Sequence, residues 1–280
     1  MKTKFIILTL FVAFLSSCSN TDEAVTETSD PADLVPTTFY PLTTASFWKY
    51  KVSVQGTDSN DILTIGENVV INSNTYQKMI GTADPSGQAT GFYSQTLNNN
   101  NLRRDGSSIK LTGAINFGFP GLSNPIAINL SDFTIFKQNG VNGTELSAVT
   151  GTMQQNVTIS ATEQLPLNIE YKFRSVAGDN LATFTSNSNS YTNVKQSKLI
   201  LSLKITTSII VNNISVPATL LETQDVFTSN LHFANNIGMV YDNFLFSYNL
   251  NPAALQYLPT GIPASMNVTQ EEFLESFHIN

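Results

Sequence analysis

From Trp48 onward, apolar side chains keep returning at every second position, and this alternation limits the fold more than any other feature of the chain. Trp48, Tyr50, Val52 and Val54 alternate with Lys49, Lys51, Ser53 and Gln55, the period of a strand with one face buried and one in water. Val157 and Ile159 repeat the pattern, as do Ile169, Tyr171 and Phe173. In the longest run, residues 191–211, Leu199, Leu201, Leu203 and Ile205 share one face. Turn-forming residues separate the runs, at 56–61, 72–74, 98–101, 212–213 and 235–236, with asparagine prominent because it tolerates positive φ. Only 12% of the residues are charged while 41% are hydrophobic, so there is a core to build. The polar positions are filled by Asn, Thr, Ser and Gln, which favour strands and turns over helices. The expectation is one mainly β domain over residues 39–280, an antiparallel curled sheet or open barrel.

Local signals refine this. Strands are predicted at residues 62–71 and 75–80, and the short apolar runs at 91–97 and 109–111 continue the meander. Residues 113–125 are rich in glycine and proline, which stop a regular element there, yet carry Phe117, Phe119 and Leu122. Such a loop either covers a groove or tucks against its own sheet. Ile126, Ile128 and Leu130 lie on one parity and Phe133 and Ile135 on the other, so Ser131-Asp132 marks a bulge or a bend. Further strands are expected at 145–149, 154–161 and 167–176, then a polar loop at 179–189 with a short strand at 181–184. Pro217 puts the return strand, 214–228, at an edge or a bulge. Residues 251–266, with three prolines, read as an irregular segment on an apolar surface. The chain closes on one short helix: Thr269 and Glu272 form a capping box, Val268 and Phe273 a hydrophobic staple, and Phe273, Leu274 and Phe277 one face.

The N-terminus fixes the compartment. Lys2 and Lys4 precede an apolar run, residues 5–15, too short to span a bilayer and ending in Leu15-Ser16-Ser17-Cys18. This resembles the lipobox of bacterial lipoproteins, so residues 1–17 read as a signal peptide and Cys18 as the lipidated first residue of the mature chain. Residues 18–38 are a polar tether with almost nothing to bury. Ser19 is not the aspartate associated with inner-membrane retention, and Asp22-Glu23 resembles a short acidic surface-export signal. The expected location is the outer membrane, on its periplasmic face or at the cell surface. Cys18 is the only cysteine, so the body folds without disulfides.

Several chemistries are excluded or disfavoured. A net charge of −7 leaves no basic stripe for nucleic acid. His232 and His278 are the only histidines, too few for a structural zinc site or a two-histidine protease motif within the body. His232 reads as an ordinary strand residue. Gly121-Leu122-Ser123-Asn124-Pro125 lacks the second glycine of a nucleophile elbow. Asp58-Ser59-Asn60-Asp61 departs from an EF-hand loop and reads as a turn. Paired carboxylates remain a route to hydrolysis that spacing does not reveal, but Glu170, Glu222 and Asp225 fall on the solvent side of their strands. The sequons at Asn129 and Asn156 are expected by chance in so Asn- and Thr-rich a chain.

Two stretches carry a resemblance: Tyr40-Pro41-Leu42 with Phe47-Trp48-Lys49-Tyr50, and Phe233-Ala234-Asn235-Asn236-Ile237-Gly238-Met239-Val240. Together they resemble a loose group of uncharacterised bacterial secreted lipoproteins, some similar to the curled, half-open sheets of lipoprotein carriers. The resemblance implies a β fold and brings no catalytic residue. The expectation is a non-enzymatic binding module without cofactor or metal, anchored through Cys18, that holds a small molecule in an apolar groove. The alternatives are a structural or protein-interaction lipoprotein of the envelope and, last, a carboxylate-based hydrolase.

Overall fold

A computed structural model describes residues 38–159, 164–211, 214–258 and 262–280. The expected signal peptide, Cys18 and the expected tether up to residue 37 lie outside the described residues, as do the expected turn at 212–213 and the end of the predicted strand at 160–161.

Twelve antiparallel strands form one sheet that curls into a nearly closed barrel. They are β1 (Phe47–Val54), β2 (Thr57–Ile71), β3 (Asn74–Ala83), β4 (Asn101–Asp105), β5 (Ser108–Phe117), β6 (Ile126–Lys137), β7 (Glu145–Thr158), β8 (Gln164–Ser186), β9 (Asn189–Val211), β10 (Ile214–Ala234), β11 (Gly238–Asn249) and β12 (Ser265–His278). Spatial order follows chain order in two meanders, β1 to β6 and β7 to β12, joined where β1 pairs with β12. The two ends of the sheet meet through side chains. The Ser147 hydroxyl accepts from Thr134 N at 2.9 Å, and Ser175 and Ser197 donate to the carbonyls of Thr134 and Ile135 at 2.5 and 2.6 Å. Hydroxyls of β7, β8 and β9 thus satisfy backbone groups that an open edge at β6 would leave bare. Phe133 stacks on Phe173 across the same seam, with centroids 4.9 Å apart.

The alternation works as expected in β1, where Trp48, Tyr50 and Val52 are fully buried. The bulge at Ser131-Asp132 is present: Leu111 pairs with Phe133 and Gly113 with Leu130, so two residues of β6 oppose one of β5, and Asp132 takes φ 50. Pro217 sits opposite Ser208, in a stretch of β10 that pairs with β9 but lies beyond its pairing with β11. It therefore removes no ladder bond on that open side.

Six expectations fail. Residues 145–149 and 154–161, expected as two strands, belong to the single strand β7, which pairs with β8 through residues 150–153 as well. The C-terminal helix is β12, because a ten-residue helix cannot stand alone while the slot between β1 and β11 would otherwise leave two edges unpaired. The run at residues 91–97, read as strand, contains the only α-helix among the described residues, α1 (Phe92–Leu97). Residues 58–61 are not a turn; the chain reverses at Gln55-Gly56 and they open β2. The polar stretch 179–189 is hairpin almost throughout, reversing only at Asn187-Ser188, whose positive φ values give a two-residue turn. Backbone pairing holds it, so it needs no apolar face. Lastly, β5 runs on from Gly113 to Phe117 before the breakers end it, and Phe117 and Phe119 tuck inward, Phe119 lying 4.8 Å from Tyr248 and Phe117 5.1 Å from Phe227.

The stretches that carried the family resemblance meet inside the barrel. The Trp48 indole N–H donates to the carbonyl of Ile237 at 2.6 Å and the Tyr50 hydroxyl to that of Met239 at 3.1 Å. Gly238 lies between them at φ 111, and a Cβ there would stand 3.1 Å from the Trp48 indole nitrogen. Phe39 and Tyr40 plug this end of the barrel, Phe39 against Phe136 and Tyr40 against Trp48. Thr38 exchanges backbone and side-chain bonds with Asn236. The described chain therefore enters at the end that carries the β4–β5 and β10–β11 turns.

Candidate functional site

Toward the opposite end, the wall of the barrel has a gap between β3 and β5. β4 is only five residues long, so the second halves of β3 and β5 are not joined by a strand. Helix α1 occupies that gap, and its N-terminus is held by strands rather than by its own cap. Asp61 on β2 accepts from Thr90 N with both oxygens at 2.9 Å and from Gly91 N at 2.7 Å. Gln270 on β12 accepts from Phe92 N at 2.5 Å. Glu272 accepts from Tyr93 N at 2.5 Å and from the Ser94 hydroxyl at 2.9 Å. These satisfy the free N–H groups that begin any helix. Glu272, expected to cap a helix of its own, caps this one instead.

Between α1 and the edge of β5 lies a cleft of about 930 Å³. Its walls are the 88–90 segment with α1 and the 98–100 turn on one side, and residues 113–118 of β5 and its end on the other. Phe92 and Phe244 stack at 4.2 Å and 17° beside it. No ionisable side chain lines it, whereas eight amide side chains do. Some of these are structural. Asn100 is 5% exposed, donates to the carbonyls of Thr96 and Ala114 at 2.7 and 2.8 Å, and accepts from Ala114 N at 2.9 Å. Its side chain thereby continues the missing β4. The side chains of Gln88, Asn99, Asn116 and Asn129 are exposed and make no hydrogen bond among the described residues.

An apolar groove is not present. The inner face of the sheet is filled by its own side chains, one cluster running from Trp48 and Tyr93 through Phe173 and Phe227 to Leu274. The apolar cavity beneath Phe119 and Leu122 holds only about 20 Å³, room for about one water molecule. The expectation of an apolar ligand is corrected accordingly: the cleft beside α1 is lined by amide side chains together with aromatic and aliphatic ones.

Glu170, Glu222 and Asp225 are on the outside, and Asp225 is engaged by Arg174 at 2.8 Å and by the Ser202 hydroxyl at 2.5 Å. His232 lies against Phe184, ring centroids 4.3 Å apart, with its Nε2 2.7 Å from the Gln196 amide, and burial holds its pKa below the ordinary imidazole value. His278 contacts Asn280. The Ser123 hydroxyl points at the carbonyl of Asn156 at 3.4 Å. Among the described residues no group of three His, Cys, Asp or Glu side chains is placed to hold a metal ion.

Sequence reasoning missed three buried acids, Asp61, Asp242 and Glu272, all within 1% of full burial. Asp242 and Glu272 are direct cross-strand neighbours. Burial pushes Asp242 up to about 7, and burial with the nearby Asp242 carboxyl pushes Glu272 well above the usual carboxylate range. They face the interior rather than the cleft: Asp61 and Glu272 hold the start of α1, while Asp242 accepts from the Ser229 hydroxyl on β10. Each was detectable by parity, since Asp61 alternates with Leu63 and Ile65, Asp242 with Val240, and Glu272 with Leu274.

No protein-family profile matches the chain, and no curated protein matches it. Among solved structures, a candidate lipoprotein from Parabacteroides distasonis ATCC 8503 is similar to it in outline, with 11% identity over 86% of this chain and 99% of that one and a TM-score of 0.39. The reading of the site rests on this chain's own residues.

Proposed function

We propose that the chain is an outer-membrane lipoprotein, anchored through Cys18, that acts as a non-enzymatic binding module and holds a polar, uncharged small molecule in the cleft beside α1. The observation that carries the reading is the cleft itself: about 930 Å³, at the upper end of the range for small-molecule sites, and free of ionisable groups. General acid–base or nucleophilic catalysis needs a titratable or activated group at the reacting atoms, and the cleft offers amides, Thr90 and Thr96 hydroxyls, and aromatic rings instead. Thr38 lies by the first residues of β5 and the cleft by its last, about 25 Å away at 3.3 Å per residue.

Gly118 provides the test, because a Cβ there meets no atom within 4 Å and a large side chain would fill the cleft mouth without entering the core. Native mass spectrometry of the full chain extracted from membranes is expected to show a small molecule on the parent protein and none on Gly118→Trp. Metabolic labelling with a palmitate analogue is expected to mark the parent and not Cys18→Ser. Equal ligand retention in parent and Gly118→Trp would remove the cleft from the account.

A further inference from the structure

The cleft has a chemical signature that narrows its ligand, and the argument rests on the binding reading above. We propose that it binds an uncharged oligosaccharide. Charge decides first. An ionic ligand entering a site without a counter-charge loses hydration that nothing repays, so nucleotides, sugar acids and charged lipid headgroups are disfavoured. Hydrogen-bonding capacity decides next. Gln88, Asn99, Asn116 and Asn129 each offer a free carbonyl oxygen and a free NH₂ on the rim, and Asn98, whose oxygen accepts from Gly81 N at 3.0 Å, still offers its NH₂. An amide that both donates and accepts matches adjacent hydroxyls, which do the same. An apolar ligand would strand these groups.

The aromatic pair supplies the second half of sugar recognition. Phe92 and Phe244 are half-buried, stacked on each other and packed on Phe227, and both line the cleft. The negative face of an aromatic ring attracts the weakly positive C–H face of a pyranose. A peptide added as a strand is the main competitor, because the second half of β5 has an open edge. That edge is too short for it. Ala114 N–H and C=O are both taken by the Asn100 side chain, so by the alternation of a strand only Asn116 presents its backbone pair to the cleft. One residue cannot template a strand, but its N–H and C=O add a donor and an acceptor for hydroxyls.

Isothermal titration calorimetry on the full lipidated chain, in a detergent without a sugar headgroup, tests this. The probes are neutral hexasaccharides of glucose (α- and β-linked), xylose, mannose and N-acetylglucosamine, with hexagalacturonate and a threonine–valine hexapeptide for comparison. At least one neutral hexasaccharide is expected to bind. Asn116→Ala with Asn129→Ala should weaken it roughly tenfold or more, as lost polar contacts do, with no change in thermal midpoint. Gly118→Trp should abolish it. If no neutral hexasaccharide binds, or if binding is indifferent to both variants, the assignment falls. Should the peptide or the acidic sugar bind and be blocked by Gly118→Trp, the cleft stands and the oligosaccharide falls. If no probe binds in a way that Gly118→Trp blocks and the membrane-extracted protein carries no small molecule, both fall.

Discussion

Asp242→Asn separates the cost of burying a carboxylate from the packing of the side chain that carries it. Asp242 is 1% exposed, accepts one bond from the Ser229 hydroxyl at 2.8 Å, and leaves its second oxygen without a partner. Its pKa is pushed up from 3.8 to about 7, chiefly by burial. The folded chain therefore binds a proton that the unfolded chain releases earlier. The stability associated with that proton is fully present below about pH 4 and is lost as the pH rises through about 7. A rise of about three units corresponds to ~4 kcal/mol at 1.36 kcal/mol per unit. Asparagine keeps the acceptor for Ser229 and cannot ionise, but its NH₂ is left unpaired, at a cost of about 1–3 kcal/mol at every pH. Glu272 is raised in the same direction, partly by Asp242, so its own loss shrinks in the variant. Urea unfolding of parent and variant at steps from about pH 3 to about pH 9 should give curves that cross, the variant weaker in acid and stronger in alkali by about 1–3 kcal/mol. Curves that stay parallel across that range would show that Asp242 carries no burial penalty, and the reasoning about the interior acids would fail with it.

Gly238→Ala should cost about 2–4 kcal/mol, because alanine at φ 111 is strained and its methyl would press on the Trp48 indole; a red shift of Trp48 fluorescence would accompany the loss. Asn100→Ala removes three hydrogen bonds that stand in for the missing length of β4, so a loss of about 2–4 kcal/mol is expected, with faster amide exchange at Ala114. Asp132 is held down to about 2, first by the Arg103 guanidinium, which donates to both its oxygens at 2.8 Å, with help from the Tyr76 hydroxyl. Arg103→Ala should return it toward the ordinary range in a carbon-detected NMR titration. The stability that this depressed pKa contributes is present above about pH 4 and lost as the pH falls through about 2, and it is small because the pair is partly in water.

Strand period was the legible part of this molecule. It located β1, the first half of β8, β9 and the parity switch at Ser131-Asp132, because each strand buries one face and the pattern is local. It failed where a neighbour decided the outcome. Residues 269–277 fit helical spacing as well as strand spacing, and only the two vacant edges of β1 and β11 select the strand. The helix at Phe92–Leu97 carries no cap of its own in sequence, since its caps are Asp61, Gln270 and Glu272, which come from two other strands. The cleft was illegible for a different reason. Its free amides come from the 88–90 segment, the 98–100 turn, β5 and β6, and each alone is an ordinary turn or strand residue. The buried acids were readable in principle, because each occupies a position where the alternation calls for an apolar side chain.

The most direct test of the account is residue-resolved contact at the cleft. The full chain, labelled with ¹⁵N-asparagine, is titrated with the small-molecule fraction extracted from its own membranes, and the side-chain amide signals are followed. The account predicts that Asn99, Asn116 and Asn129 shift together and saturate, while Asn243, which donates to the Tyr241 hydroxyl on the outer wall, stays in place. Shifts confined to the outer wall, or none at the three cleft amides, would contradict it.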